Sequence, residues 1–180
     1  RRFVDMEIGQ IRPVYLYDLM RYNKTLKERN SYLKFDASKI DPNFLDVLDD
    51  QLVEYGEKVM NHRKQFISSL TEISADLHHH LSHGQEKLRI VYAQNVKTDF
   101  AVELKQARQK DQFRAQTSVG PHRDDLQFFI NDINVSNFGS QGQQRTTALS
   151  VKLAEIELIH QETGDYPVLL LDDVMSELDN

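Results

Sequence analysis

Residues 139–180 read GSQGQQRTTALSVKLAEIELIHQETGDYPVLLLDDVMSELDN, and the order of features there restricts the fold more than anything else in the chain. A turn, Gly139-Ser140-Gln141-Gly142-Gln143, opens a helix of about five turns. Ser140 is a favourable N-cap, and Gln143 completes a capping box with it. Apolar residues follow at Ala148, Leu149, Val151, Leu153, Ala154, Ile156, Leu158 and Ile159, and Gly164 supplies a C-terminal stop. The glycines of the turn let a ligand approach the backbone closely. A helix start with uncovered N–H groups and a hydroxyl favours an anion, most naturally a phosphate. The run Pro167-Val168-Leu169-Leu170-Leu171 then reads as a parallel strand buried on both faces. It ends in Asp172-Asp173, where carboxylates of open α/β sheets meet ligands. Asp172 is a hard oxygen ligand suited to Mg²⁺ bound with nucleotide phosphates, and Asp173 beside it can orient a water.

The remaining sequence predicts a mostly helical first half. Pro13 serves as a first helical residue, and Val14 to Lys34 reads as one helix. Leu16, Leu19, Tyr22, Leu26 and Leu33 mark its apolar side. Asp41-Pro42 starts a second helix, from Asn43 to about Leu81. Its seam is Leu45, Leu48, Leu52, Tyr55, Val59, Phe66, Leu70, Ile73, Leu77 and Leu81, with His62 in the one gap. Steps of three and four give it a near-heptad pattern. At 1.5 Å per residue it would be roughly 58 Å long. A long helix beside a shorter one predicts an antiparallel arm. In the run His78-His79-His80, only His79 and His83 stand i,i+4 and could share a metal. A solvated helix end is the plainer reading.

Beyond the arm, Lys87 to Gln94 alternates as a strand. Asp99 to about Ala115 reads as a helix with Phe100, Val102, Leu104, Ala107 and Phe113 apolar. Leu126–Ile130 and Ile133–Phe138 read as a hairpin around Asn131-Asp132. Between helix and hairpin lies Gly120-Pro121-His122-Arg123-Asp124-Asp125, a fixed turn. Arg123 there could offer a fork to a phosphate, or serve only Asp124 or Asp125.

The 180 residues suit one domain or a domain with an appendage, and the absence of cysteine excludes disulfides and cysteine-based metal sites. No apolar run is long enough to cross a membrane, and no signal peptide is visible, so a cytoplasmic protein is expected. The net charge of −6 argues against a uniformly basic nucleic-acid binder. Residues 1–34, however, carry a net +4, and Arg21, Lys24 and Lys27 form a candidate DNA-binding patch there.

A GSQGQ turn, one helix, then an apolar strand and two aspartates resemble the second half of an ABC-type ATPase: signature motif, helix and Walker B. Ser176-Glu177-Leu178-Asp179 resembles the D-loop that follows. The longer string, with GPHRDDL and the opening RRFVD, resembles the RecF family in the SMC-like branch. This resemblance implies an α/β fold: the C-terminal half of an ABC-type (P-loop NTPase) head, residues 86–180, with an α-helical arm, residues 1–85. No Walker A motif, Q-loop or switch histidine is present. The chain begins without methionine and stops just past the D-loop-like segment. An internal fragment that is inactive alone is therefore expected.

For the parent protein, the resemblance implies ATP and Mg²⁺ as cofactors and an ATP-bound homodimer. Ser140, Gln141, Gly142 and Gln143 would act in trans on the partner's ATP. Asp172 would help hold Mg²⁺, Asp173 would stand at the catalytic position, and Ser176 and Asp179 would form the D-loop interface. Aspartate is one methylene shorter than the usual glutamate, so hydrolysis would be slow and DNA-dependent. The implied function is recombination mediation at single-stranded gaps in replication, repair and the SOS response. The protein would bind single- and double-stranded DNA and help RecO and RecR load RecA. The alternatives are an SMC-type scaffold, disfavoured by the short arm, and a transporter cassette, disfavoured by the long helical insert.

Overall fold

Asp41 caps the start of the second long helix: its carboxylate accepts from the Asn43 N–H at 2.9 Å, and Pro42 sets the first helical φ. In the computed structural model, which describes residues 2–168, this helix runs unbroken over 40 residues as α3 (Pro42–Leu81). Before it come α1 (Arg2–Ile11) and α2 (Pro13–Tyr32). After it come β1 (Leu88–Ala93), α4 (Phe100–Arg114), β2 (Asp125–Ile130), β3 (Ile133–Asn134), α5 (Val135–Phe138) and α6 (Gln141–Thr163). One-turn 3₁₀ helices lie at 37–39 and Pro121–Arg123.

Helices α2 and α3 pack antiparallel, as predicted. Tyr15 of α2 meets Arg63 of α3, Arg29 meets Asp49, and Tyr32 meets Asp41 and Phe44, so one index rises as the other falls. Of the predicted apolar side, Tyr22 and Leu33 are buried and Leu19 and Leu26 pack against the core, but the buried face of α2 is more polar than predicted. Its buried residues are Tyr15, Asp18, Tyr22, Thr25 and Arg29, while Leu16 is 44% exposed. These five residues keep steps of three and four, so polar and charged side chains share the buried stripe with Tyr15 and Tyr22. A buried seam can be polar where every charge has a partner.

The same lesson holds on α3. Leu45, Leu48, Leu52, Val59, Phe66 and Leu70 are buried as predicted. At the remaining turns Gly56, Arg63, Ser74 and His78 are the buried residues, while the predicted Tyr55, Ile73 and Leu77 pack half-buried on the core and Leu81 is exposed. Gly56 is there because a Cβ would fall 2.5 Å from the Phe100 ring and 3.1 Å from Tyr22. Arg63 is there because α1 and the Gly120–Asp125 turn bring it two carboxylates: Asp5 at 2.8 Å and Asp124 at 3.6 Å.

The predicted strand and the Asn131-Asp132 turn form an antiparallel sheet of order β1-β2-β3, with Leu88 opposite Ile130 and Ala93 opposite Asp125. Asn131 and Asp132 both take positive φ, at 47° and 66°, as a tight two-residue turn demands. The returning strand is shorter than predicted. It ends at Asn134, whose side chain caps α5 by accepting from Asn137 N–H at 3.2 Å. On α4 the predicted apolar set divides: Phe100 and Leu104 are buried, while Val102 and Phe113 are exposed. One buried cluster joins Val4 and Ile8 of α1, Tyr15 and Tyr22 of α2, the α3 seam, Ile90, Phe100, and Val151, Ala154 and Leu158 of α6. The packed faces of α1, α3 and α6 thereby fix the direction of α6.

Candidate functional site

The turn at 139–143 and the start of α6 have the geometry that the sequence dictates. Ser140 Oγ accepts from the Gln143 N–H at 3.2 Å, and Gln143 Oε1 accepts from the Ser140 N–H at 3.0 Å. Both halves of the capping box are therefore made. Gln144 N–H closes the first helical bond to the Ser140 carbonyl at 3.0 Å. The N–H groups of Gln141 and Gly142 meet no acceptor among the described residues, and both residues are exposed. They project from the positive end of a 23-residue helix dipole. Such an end can bind an anion through backbone N–H groups and the hydroxyl.

The two glycines of the turn have different reasons. A Cβ at Gly139 would lie 2.7 Å from the Val135 carbonyl, so α5 requires glycine there. A Cβ at Gly142 would meet only Ser140 Oγ, at 3.9 Å. Nothing in the described chain requires glycine at 142; its lack of a side chain leaves the helix end open to a ligand.

Behind this end, α6 is anchored on three sides. Gln143 Nε2 donates to Glu86 Oε1 at 2.8 Å, just before β1. Ser150 Oγ lies 3.0 Å from Nδ1 of the buried His78 at the end of α3. On α1, Glu7 is 1% exposed beside Glu155, which Lys152 pairs at 2.9 Å. Burial, then the hydrogen bond and negative charge of Glu155, push the Glu7 carboxyl up to about 7, with Lys152 opposing.

The Gly120–Asp125 turn is held on nearly every side. Gly120, at φ 135°, donates its N–H to Asn95 Oδ1 at 2.9 Å. The Pro121 carbonyl accepts from Arg63 at 2.7 Å, and Asp124 accepts from the Asn95 N–H at 2.7 Å and from the Tyr92 hydroxyl. Of the two carboxylates the sequence offered to Arg123, Asp124 is thus taken up by Arg63, Tyr92 and Asn95. Arg123 itself is exposed and donates to the Thr117 carbonyl at 3.4 Å.

On α2, the Arg21 guanidinium lies over the Tyr55 ring at 5.3 Å, and Lys24 stands exposed 3.9 Å from Glu28. Lys27 shares a shallow surface depression with Lys24, Tyr32, Phe35 and Phe44. Among the described residues these cations make no hydrogen bond or ion pair with the 139–143 turn. Asp172, Asp173, Ser176 and Asp179 lie outside the described residues, as does most of the predicted strand Pro167–Leu171. Among the described residues no group of histidines and carboxylates is arranged for a metal, and His79 and His83 gather no third ligand. Within the run His78-His79-His80 the structure buries His78, which the sequence did not set apart from its neighbours. Its signal there was its place eight residues, about two helical turns, past the seam residue Leu70. No helix among the described residues is long and apolar enough to cross a membrane.

With this geometry in hand, comparison with known proteins is decisive. The chain is 68% identical over all its 180 residues to the DNA replication and repair protein RecF of Lactococcus lactis subsp. cremoris strain MG1363. It is 53% identical, over a 194-residue alignment, to RecF of Enterococcus faecalis strain ATCC 700802 / V583. Over its whole length the chain is similar to RecF proteins. A solved structure of the recombination mediator protein RecF with ATP, in the RecFOR pathway, superposes on the whole chain with a TM-score of 0.93 at 36% identity. No family model matches. The chain spans about half the length of these RecF relatives: 50% of the Lactococcus protein and 51% of the solved chain. The helix-and-sheet architecture is accordingly that of the RecF ABC-type ATPase head with its helical arm, as the sequence predicted.

Proposed function

We propose that the full-length protein carrying this chain is an ATP-dependent, DNA-binding recombination mediator of the RecF type. It dimerises with ATP at single-stranded gaps and helps RecO and RecR load RecA. The observation that carries this reading is the open start of α6: a complete capping box, two uncovered N–H groups and a glycine with no internal reason to be one. Ser140, Gln141, Gly142 and Gln143 present donors to a phosphate held by a partner subunit. The positive helix end favours the negative charge there.

ATP bound between two subunits supplies the phosphoryl chemistry and the energy of assembly. Asp172 would hold Mg²⁺, with Asp173 orienting the water and Ser176 and Asp179 at the dimer interface. Arg123, on a turn clamped from several sides, is offered to a phosphate of nucleotide or DNA. The outer cations Arg21, Lys24 and Lys27 meet the DNA backbone. Residues 1–85 act as the arm and 86–180 as part of the head, in a cytoplasmic protein that turns ATP over slowly and faster on DNA.

The test is ATP-driven dimerisation and DNA-stimulated ATP turnover by the full-length protein, wild type beside Ser140→Arg. A long cation at the helix start should abolish both. Dimerisation and turnover at wild-type levels in Ser140→Arg would remove the signature role. Turnover that ignores DNA would return the SMC-type scaffold reading.

A further inference from the structure

Between the signature turn and the end of the arm runs a continuous hydrogen-bonded chain of side chains. Gln143 uses both ends of its amide: Oε1 closes the capping box, and Nε2 donates to Glu86 Oε1 at 2.8 Å. The other oxygen of Glu86 lies 3.0 Å from His78 Nε2. His78 Nδ1 lies 3.0 Å from Ser150 Oγ, and Ser150 Oγ donates to the Thr146 carbonyl at 2.7 Å. With its proton so placed, Ser150 accepts from the His78 Nδ1–H. His78 and Ser150 have no solvent access, and the Glu86 side chain is 22% exposed. Three elements thus meet in one network: the last turn of α3, the segment entering β1, and α6 at two points almost two turns apart.

We propose that Glu86 and His78 are positioning residues for the signature glutamine. They lock Gln143 and the first turns of α6 to the arm helix α3, so a displacement of the arm is felt at the face presented to the partner's ATP. This rests on the reading that the α6 start meets that ATP in trans. A rotation of α3 by a fraction of a turn would carry His78 away from either Ser150 or Glu86. Glu86 would then no longer fix the Gln143 amide. The capping box would have to compete with water for Gln143. A buried network of this kind specifies one arrangement because a half-satisfied alternative is costly.

Two readouts on the full-length protein separate positioning from bulk stability: ATP affinity of the dilute protomer, by a fluorescent ATP analogue, and the ATP-driven dimerisation constant, by sedimentation. Glu86→Ala should weaken dimerisation about tenfold and leave protomer affinity within about twofold, the size of one coupled side-chain contact. Glu86→Gln should restore dimerisation, since its amide oxygen still accepts from Gln143 and its amide N–H donates to His78 Nε2. Adding Glu86→Ala to Gln143→Ala should cause no further loss, because both break the same link. A simple packing defect would instead lower protomer affinity and melting temperature together, and the two losses would multiply. That outcome overturns the proposal, as does wild-type dimerisation in Glu86→Ala while Ser140→Arg fails to dimerise. If Ser140→Arg also dimerises normally, the trans reading has failed and this proposal falls with it. Should Glu86→Ala not fold, the same cycle is run with Ser150→Ala against Gln143→Ala. Independent, multiplying losses there overturn the link as well.

Discussion

Arg29 and Asp111 form an ion pair to which solvent has no access: Arg29 Nη1 lies 2.9 Å from Asp111 Oδ2, and both side chains are fully buried. The same guanidinium bonds Asp49 at 2.6 Å and Thr117 at 2.8 Å, so one arginine joins α2, α3, α4 and the segment leading into the Gly120 turn. Asp111 in turn accepts from the Ser118 N–H and hydroxyl. Asp111→Ala should therefore cost the full-length protein about 3 kcal/mol, chiefly by leaving a buried cation short of a partner. Urea unfolding measures it, and a loss near zero would mean that Asp49 alone neutralises Arg29.

Glu7 carries a pH prediction with a definite sign. Its carboxyl is raised from 4.5 to about 7 in the folded protein, so the fold binds its proton more tightly than the unfolded chain does. Stability from this group is complete below about pH 4.5 and is lost as pH rises through about 7. Glu7→Gln should remove that loss and leave the protein more stable than wild type at pH 8 by about 2 kcal/mol. Thermal unfolding at pH 5 and pH 8 checks it. Equal pH dependence in both proteins would mean that Glu7 is already ionised at neutral pH.

Gly56 is the close-approach point of the arm against α4. Because a Cβ would sit 2.5 Å from Phe100, Gly56→Ala must displace a buried ring. The helix gains propensity from alanine, worth about 1 kcal/mol at most. Overpacking costs about 1–3 kcal/mol and should win. A melting temperature above wild type would show that Phe100 moves aside freely.

The cations of α2 face outward, but not equally. Arg21 already lies over Tyr55 and Lys24 stands near Glu28, so neither is wholly available to DNA. If the proposed DNA contact is right, replacing Arg21, Lys24 and Lys27 by glutamine in the full-length protein should weaken DNA binding at every sequence alike. It should also lower the slope of log K against log salt by about 2, fewer than the three charges removed. Fluorescence anisotropy across salt concentrations gives that slope, and an unchanged value would leave this stretch a solvated face.

The sequence determined what is local. The helix boundaries at Asp41-Pro42 and Ser140, with its capping box, follow from side chains that bond backbone a few residues away, and the Gly164 stop and the Asn131-Asp132 turn from residues that accept positive φ. The order of turn, helix, apolar run and aspartates likewise carried the family, because that spacing is itself linear. Tertiary structure decided which faces were buried. Arg29, Arg63 and His78 look like surface residues in a one-dimensional pattern, since their burial depends on carboxylates and hydroxyls up to 88 positions away in the chain. A charge enters a core only when its partner arrives from another element. The pairing of Gln143 with Glu86, and of Glu86 with His78, therefore exists only in the folded protein.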